Sequence, residues 1–210
     1  MMKTIKAYKI IGLLITLIVI LFVIYISKYQ QLINEGSELA DTHCIEINPL
    51  IIKRKQAYIY AINVAKLNTN LYMEEIDKYL KFSKEYVKAE KKWLDKENSF
   101  LNRWDVKLLI DKRIREAGIW QYKSYLADYL GSDAIVKAFD AKDKKEQKRL
   151  LDVVVQTSKD MNEADVEYVK MWENRYSDFD IRNYFIRIPS PKCPQENYNI
   201  PDVGKALGIY

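Results

Sequence analysis

IIGLLITLIVILFVIYI, residues 10–26, runs for 17 residues without a charged side chain. As a helix it covers about 26 Å, against a hydrocarbon core of about 30 Å. Ala7, Tyr8 and snorkelling lysine stems extend its near end. Tyr25 and Tyr29 stand where an interfacial aromatic belt belongs. The stretch therefore predicts a single transmembrane helix over residues 10–29. A cleaved signal peptide has a shorter apolar core followed by a small-x-small site. The residues after Ile26 read SKYQQLINEG and contain no such site, so the segment is read as an uncleaved signal anchor.

The flanks set the expected orientation. Lys3, Lys6 and Lys9 precede the span, and only Lys28 closely follows it. The positive-inside rule then predicts a cytoplasmic stub, residues 1–9, with the rest of the chain beyond the membrane. No later apolar run approaches the same length. The expected location is the inner (cytoplasmic) membrane, single-pass, with a periplasmic or otherwise extracytoplasmic domain. The lipid bilayer is thus the first expected partner, contacted through residues 10–29.

The net charge of +5 suggests nucleic acid, but its placement argues otherwise. Residues 1–30 hold four lysines and no acid, which leaves 30 basic against 29 acidic side chains in the remainder. A duplex-binding surface needs a basic excess to displace counterions. No nucleic-acid partner is expected.

Residues 30–48 join the span to the bundle: the anchor helix is expected to run on through KYQQLIN to Gly36, and residues 37–48 lack a clean period and read as a connector. Asn48-Pro49 then resembles a helix start, Asn as cap and Pro at the first helical position. The helix from Pro49 carries Ile51, Tyr58, Ile62 and Ala65, and stops near Asn68-Thr69-Asn70. From Leu71 an amphipathic stripe of Tyr72, Ile76, Tyr79, Leu80, Ser83, Val87 and Leu94 predicts a long helix to about Asn102. A third helical region begins near Trp104. Gly118 marks a kink or break in it, and Gly131-Ser132-Asp133 a firmer stop and restart. Asp143-x-x-Glu146 resembles a capping box ahead of a last long stripe, Leu150, Leu151, Val154, Ser158, Met161, Tyr168, Val169, Trp172 and Tyr176. Residues 181–188, IRNYFIRI, suggest a short strand or an extended packing segment. Pro189, Pro191 and Pro194 predict an extended tail. The fold class is thus all-α: one N-terminal transmembrane helix, an antiparallel bundle of three to five helices over residues 49–180, and a proline-containing tail over 181–210.

The chemistry carried by these residues is sparse. His43 is the one histidine and falls in the expected connector, so a ferritin-like di-iron site with its Glu-x-x-His pairs is excluded, and a His-assisted nucleophile has almost nothing to work with. The six glycines are scattered, which argues against a phosphate cradle. Glu74, Glu75, Glu116 and Glu163 read as ordinary solvated helix positions rather than a glycosidase pair. No catalytic residue, metal ligand or cofactor is expected, and the chain is read as a non-enzyme.

Aromatic content is the stronger signal, with 16 tyrosines and four tryptophans. Trp120, Tyr122, Tyr125 and Tyr129 crowd one helix. Tyr122, Leu126 and Tyr129 share a face while Tyr125 lies round from it, so the four are not expected to turn inward together. Tyr and Trp are enriched at interface hot spots, which makes this cluster the expected partner-binding surface. The expected function is a non-catalytic, membrane-anchored protein that engages another protein at the membrane surface. It would serve as an accessory or assembly subunit of a membrane complex, or as an inhibitor or immunity-type protein. A small-ligand sensor acting with a membrane partner is the alternative, and a carboxylate-dependent wall enzyme stands third.

The two cysteines complete the expectation. In an oxidising compartment Cys44 and Cys193 have one intramolecular choice, each other. A disulfide there would strap the stiff tail to the connector.

Overall fold

The computed structural model describes residues 2–65, 69–173, 186–187 and 189–207. Among them the chain is helical, with no strand. Five long helices dominate: α1 (Met2–Thr42), α2 (Asn48–Val64), α3 (Thr69–Asn102), α5 (Lys112–Asp140) and α6 (Lys144–Glu173). Two short ones, α4 (Trp104–Leu109) and α7 (Val203–Ala206), fill a corner and end the tail. Helix α2 packs on α3, α3 on α5, and α5 on α6. This is the antiparallel bundle that the amphipathic stripes predict, joined to a long apolar N-terminal helix.

The anchor helix runs through Gly36 as expected, but the irregular connector expected over residues 37–48 is helical too. Helix α1 continues to Thr42, and a single π-helical turn, His43–Ile47, joins it to α2 without a break. Asn48 does not cap a helix start. Its backbone N–H donates to the His43 carbonyl, five residues back. In that register Pro49, which has no N–H, leaves the Cys44 carbonyl without its helical donor. Asn197 of the tail fills the vacancy: its Nδ2 donates to the Cys44 carbonyl at 3.0 Å, and its own carbonyl accepts from Asn48 Nδ2 at 3.1 Å. The periodicity was obscured because a π turn shifts the buried face by one residue.

The glycines expected to break α5 do not. Helix α5 runs straight through both. A Cβ on Gly118 would stand 3.2 Å from Leu101, and one on Gly131 would stand 2.7 Å from Thr157 Oγ1. Both are places where a neighbouring helix approaches closely rather than helix ends. Around Gly131, buried Ala127, Ala134 and Ala138 continue a row of small residues, with Leu150 of α6 against the last two. The true interruption lies earlier. Ile110 adopts an extended backbone, and Asp111 caps α5 by accepting from the Arg113 N–H at 2.9 Å. Asp143 likewise caps α6 through the Lys145 and Glu146 N–H groups. The Glu146 carboxylate bonds Arg149 instead, so the box is half formed.

Three apolar clusters hold the molecule. One joins Ile47, Ile51, Tyr86, Trp93 and Leu94. A second joins Tyr29 and Leu32 of α1 to Val106 and Ile110. The third is the α5–α6 contact just described. Tyr29 is therefore buried against α4 rather than set in an aromatic belt.

The tail is extended through its prolines, then makes a 3-10 turn at Gln195–Tyr198 before α7. It lies along α1 and α2. Arg187 and Gln30 exchange two hydrogen bonds, at 2.6 and 2.7 Å. Lys192 N–H donates to the buried Asp41 carboxylate at 2.9 Å. Cys193 stands at disulfide distance from Cys44, Cα to Cα 5.7 Å, within the range a bridge requires. Six residues of chain from Arg187 to Cys193 can reach about 20 Å, and fourteen helical residues from Gln30 to Cys44 span about 21 Å. The match lets the strap lie flat on the helix. The strand suggested over 181–188 falls outside the described residues except for Ile186 and Arg187, as does Tyr176.

Candidate functional site

Two features stand out from the packed apolar frame. The first is a polar spine in the core. Arg54 is buried on α2, on the face formed by Ile51, Ala57 and Ala61. It reaches the Asp128 carboxylate of α5 at 3.2 and 3.3 Å, bonds Ser132 Oγ, and lies over the Tyr86 ring at 4.2 Å. Tyr86 O–H donates to Asp128 at 2.7 Å. Burial works to lower the Arg54 pKa, but Asp128 together with Tyr86 and Tyr79 outweighs it, so the guanidinium keeps its charge. One helical turn beyond Tyr86, the fully buried Glu90 meets His43 at 3.2 Å. Burial pushes the Glu90 carboxyl above its ordinary value, and His43 draws it partly back. His43 in turn packs between the rings of Trp93 and Tyr125, at 4.6 and 4.2 Å. The histidine placed in a connector by sequence thus sits on the continuous helix, with an acid for a partner. Glu90 is sealed within the bundle, while His43, also buried, borders a cavity beside Trp93 and Cys44. Among the described residues no three His, Cys, Asp or Glu side chains converge as a metal site.

The second feature is a groove between α1, α3, α5 and the strap. A cavity of about 360 Å³ is walled by apolar Leu32, Phe100, Leu101, Val106 and Ile114. A second, of about 270 Å³, continues it toward Trp93, Cys44 and Tyr198. Gly36, Ser37, Glu97, Gln121 and Pro191 border both. Glu97 stands seven residues, two turns, beyond Glu90 on α3. Burial pushes its carboxyl up to about 7. Arg115 adds a cationic wall, donating to the Lys107 carbonyl at 3.0 Å while its buried Nε makes no hydrogen bond. The groove is thus a largely apolar slot with Glu97, Asp41 and the Arg115 guanidinium on its walls, suited to hold an amphiphilic group.

The position of Glu97 predicts a pH dependence. Its folded pKa lies above the ordinary 4.5, so the folded chain holds the proton more tightly than the unfolded one. Stability then falls as pH rises from about 4.5 to about 7, by on the order of 1–2 kcal/mol for a half-buried group. Glu97→Gln removes that slope and raises stability at pH 8. Urea unfolding at pH 5 and pH 8 reads it directly. An unchanged slope in the variant would contradict the assignment.

The aromatic cluster divides. Tyr122, Tyr125 and Tyr129 all pack against the core cluster of Ile47, Tyr86 and Trp93. Tyr125 turns inward with the others, edge-on to Trp93 at 5.2 Å, although its register placed it round from them. Trp120 lies apart, with Lys123 Nζ 3.7 Å over its ring, beside Glu163 and Ala164 of α6. The structure therefore does not gather the four into one surface. Of the solvated glutamates, Glu74 and Glu75 pair with Lys78 and Glu116 with Lys112. The two α3 acids turned toward the interior, Glu90 and Glu97, gave no sequence signal beyond their place on the apolar stripe of that helix.

No protein-family model matches the chain, and no curated protein or solved structure is found to match it.

Proposed function

We propose that the chain is a non-catalytic membrane-anchored protein that presents its helical bundle to a protein partner at the membrane surface. The N-terminal helix is long and apolar enough to span a bilayer, and its side chains from Ile11 to Ile24 are largely uncovered. Under this reading it is the anchor, with the positive-inside flanks placing the bundle outside the cytoplasm.

The observation that carries the binding role is the outer face of α6. That helix packs along α5 through Leu150, Thr157 and Ala164, spaced by sevens. Its other face leaves Leu151, Val155, Val166 and Val169 half exposed or more, in one stripe interrupted by Ser158 and Asn162. A lone apolar stripe of this kind suits a partner helix. A photo-crosslinking residue at Val155 or Val166, in intact membranes, is expected to capture one discrete protein. The same residue at exposed Lys81 of α3 is expected to capture none. Val155→Glu with Val166→Glu should abolish a complex formed through this face while leaving helicity unchanged. Failure to capture from either α6 position, with a monomeric chain, would defeat the proposal.

The groove beside Glu97 favours a second reading, a small-ligand sensor that works with a membrane partner. It predicts an amphiphile retained by the chain in native mass spectrometry after mild extraction.

A further inference from the structure

Helix α4 is only six residues long, yet it carries the most exposed large apolar side chain among the described residues. Trp104 is 76% exposed and Leu108 71%, matching Leu13 inside the apolar run at 72%. They stand four residues apart, on one face. The other face is fixed to α1. Val106 and Ile110 pack on Tyr29 and Leu32, with Tyr25 beside them. Asp105 meets Lys28 at 3.4 Å and Arg103 at 2.8 Å, and Arg103 also bonds Glu35. Arg103 first, and Lys28 with it, holds the Asp105 carboxyl well below its usual range, so these contacts persist as ion pairs across ordinary pH.

This clamp sets the height of α4. Lys28 lies two residues past Ile26, about 3 Å along the helix axis. The apolar run is also slightly shorter than a hydrocarbon core, so a bilayer that covers it reaches the level of Lys28 and Tyr29. Trp104 adjoins Asp105 at that level, and indole is the side chain that most favours the boundary between headgroup and hydrocarbon. Lys28 and Arg103 of the clamp lie at the same level, and Lys107 follows Trp104 on the same short helix, cations that phosphate headgroups favour.

We propose that α4 is an interfacial helix, with Trp104 and Leu108 entering the leaflet from which α1 emerges. The inference rests on α1 being a membrane anchor. Its occupant is the lipid surface, continuous with the bilayer around the span.

The test uses the full chain in vesicles of dibrominated phosphatidylcholine, where bromine quenches indole by contact. The wild type is expected to be quenched relative to unbrominated vesicles, and Trp104→Phe to lose that quenching with its helicity unchanged. A Leu17→Trp, Trp104→Phe double variant reports on the span itself. Quenching at position 17 with none from Trp104 overturns the interfacial role and leaves the anchor standing. It is also the outcome expected if another protein or a second copy covers this face. Quenching that persists in Trp104→Phe overturns the role as well, since another tryptophan is then the one in lipid. No quenching at position 17 removes the anchor reading and the inference with it.

Discussion

A chain with both Cys44 and Cys193 replaced by serine is expected to lose about 3–5 kcal/mol of unfolding free energy relative to the oxidised protein. The link would close a loop across a sequence separation of 149 residues. Chain entropy puts the effect on the unfolded state at about 5 kcal/mol, and measured bridges commonly deliver less. The strap's other contacts do not replace the link. Asp41, Gln30 and the bonds of Asn197 to Asn48 and Cys44 bind the tail only once it is in place, and each is a single hydrogen bond or a pair of them. Urea unfolding in detergent, with and without reductant, measures the difference. The double serine variant should match the reduced wild type. Two thiols that label freely on the folded, unreduced protein would show that the pair does not bond.

Asp128→Ala is expected to cost about 3–5 kcal/mol, because it strands a buried cation. Arg54 keeps only Ser132 and the face of Tyr86, while the Tyr86 hydroxyl loses its acceptor. The opposite removal, Arg54→Ala, should cost less, since Asp128 is partly open to water and can be solvated. The pair Arg54→Met with Asp128→Leu should recover most of the loss. It replaces an internal ion pair with apolar volume, a change that is often neutral or better. Thermal unfolding of the three variants gives the order. A double variant as weak as Asp128→Ala would mean that the spine does more than hold charge in balance.

The elements legible in the sequence are those whose faces repeat without interruption. The apolar run, α3 and α6 all follow this rule, and α3 begins and ends within two residues of its predicted range. Helix α2 was placed correctly but turned wrongly. Its buried face centres on Arg54, Ala57 and Ala61 rather than on Ile62, because a buried arginine looks like solvent to any apolar count. The π turn at His43–Ile47 breaks the period where helix continuity is kept. Gly118 and Gly131 carry the same letter as a stop signal, and only the presence of Leu101 and Thr157 across the contact tells them apart. The groove shares this limit. Glu97 lies one side chain away from solvated neighbours, and its environment is made by α1, α5 and the strap rather than by its own helix.

The unbroken path from α1 through the π turn into α2 has a mechanical consequence. From Ile26 to Val64 the backbone rises about 57 Å without a joint. If α1 is anchored in a bilayer, a tilt of its lower end by about 10° swings the upper end through roughly 10 Å. A π turn followed by proline is the natural weak point of such a lever. The strap crosses that point, fastened below it at Asp41 and above it at Asn48, and so acts as a splint. Were α1 a membrane anchor and the two cysteines joined, the splint would carry movement of the foot to the α2–α3 hairpin, and reduction would let it dissipate at the bend.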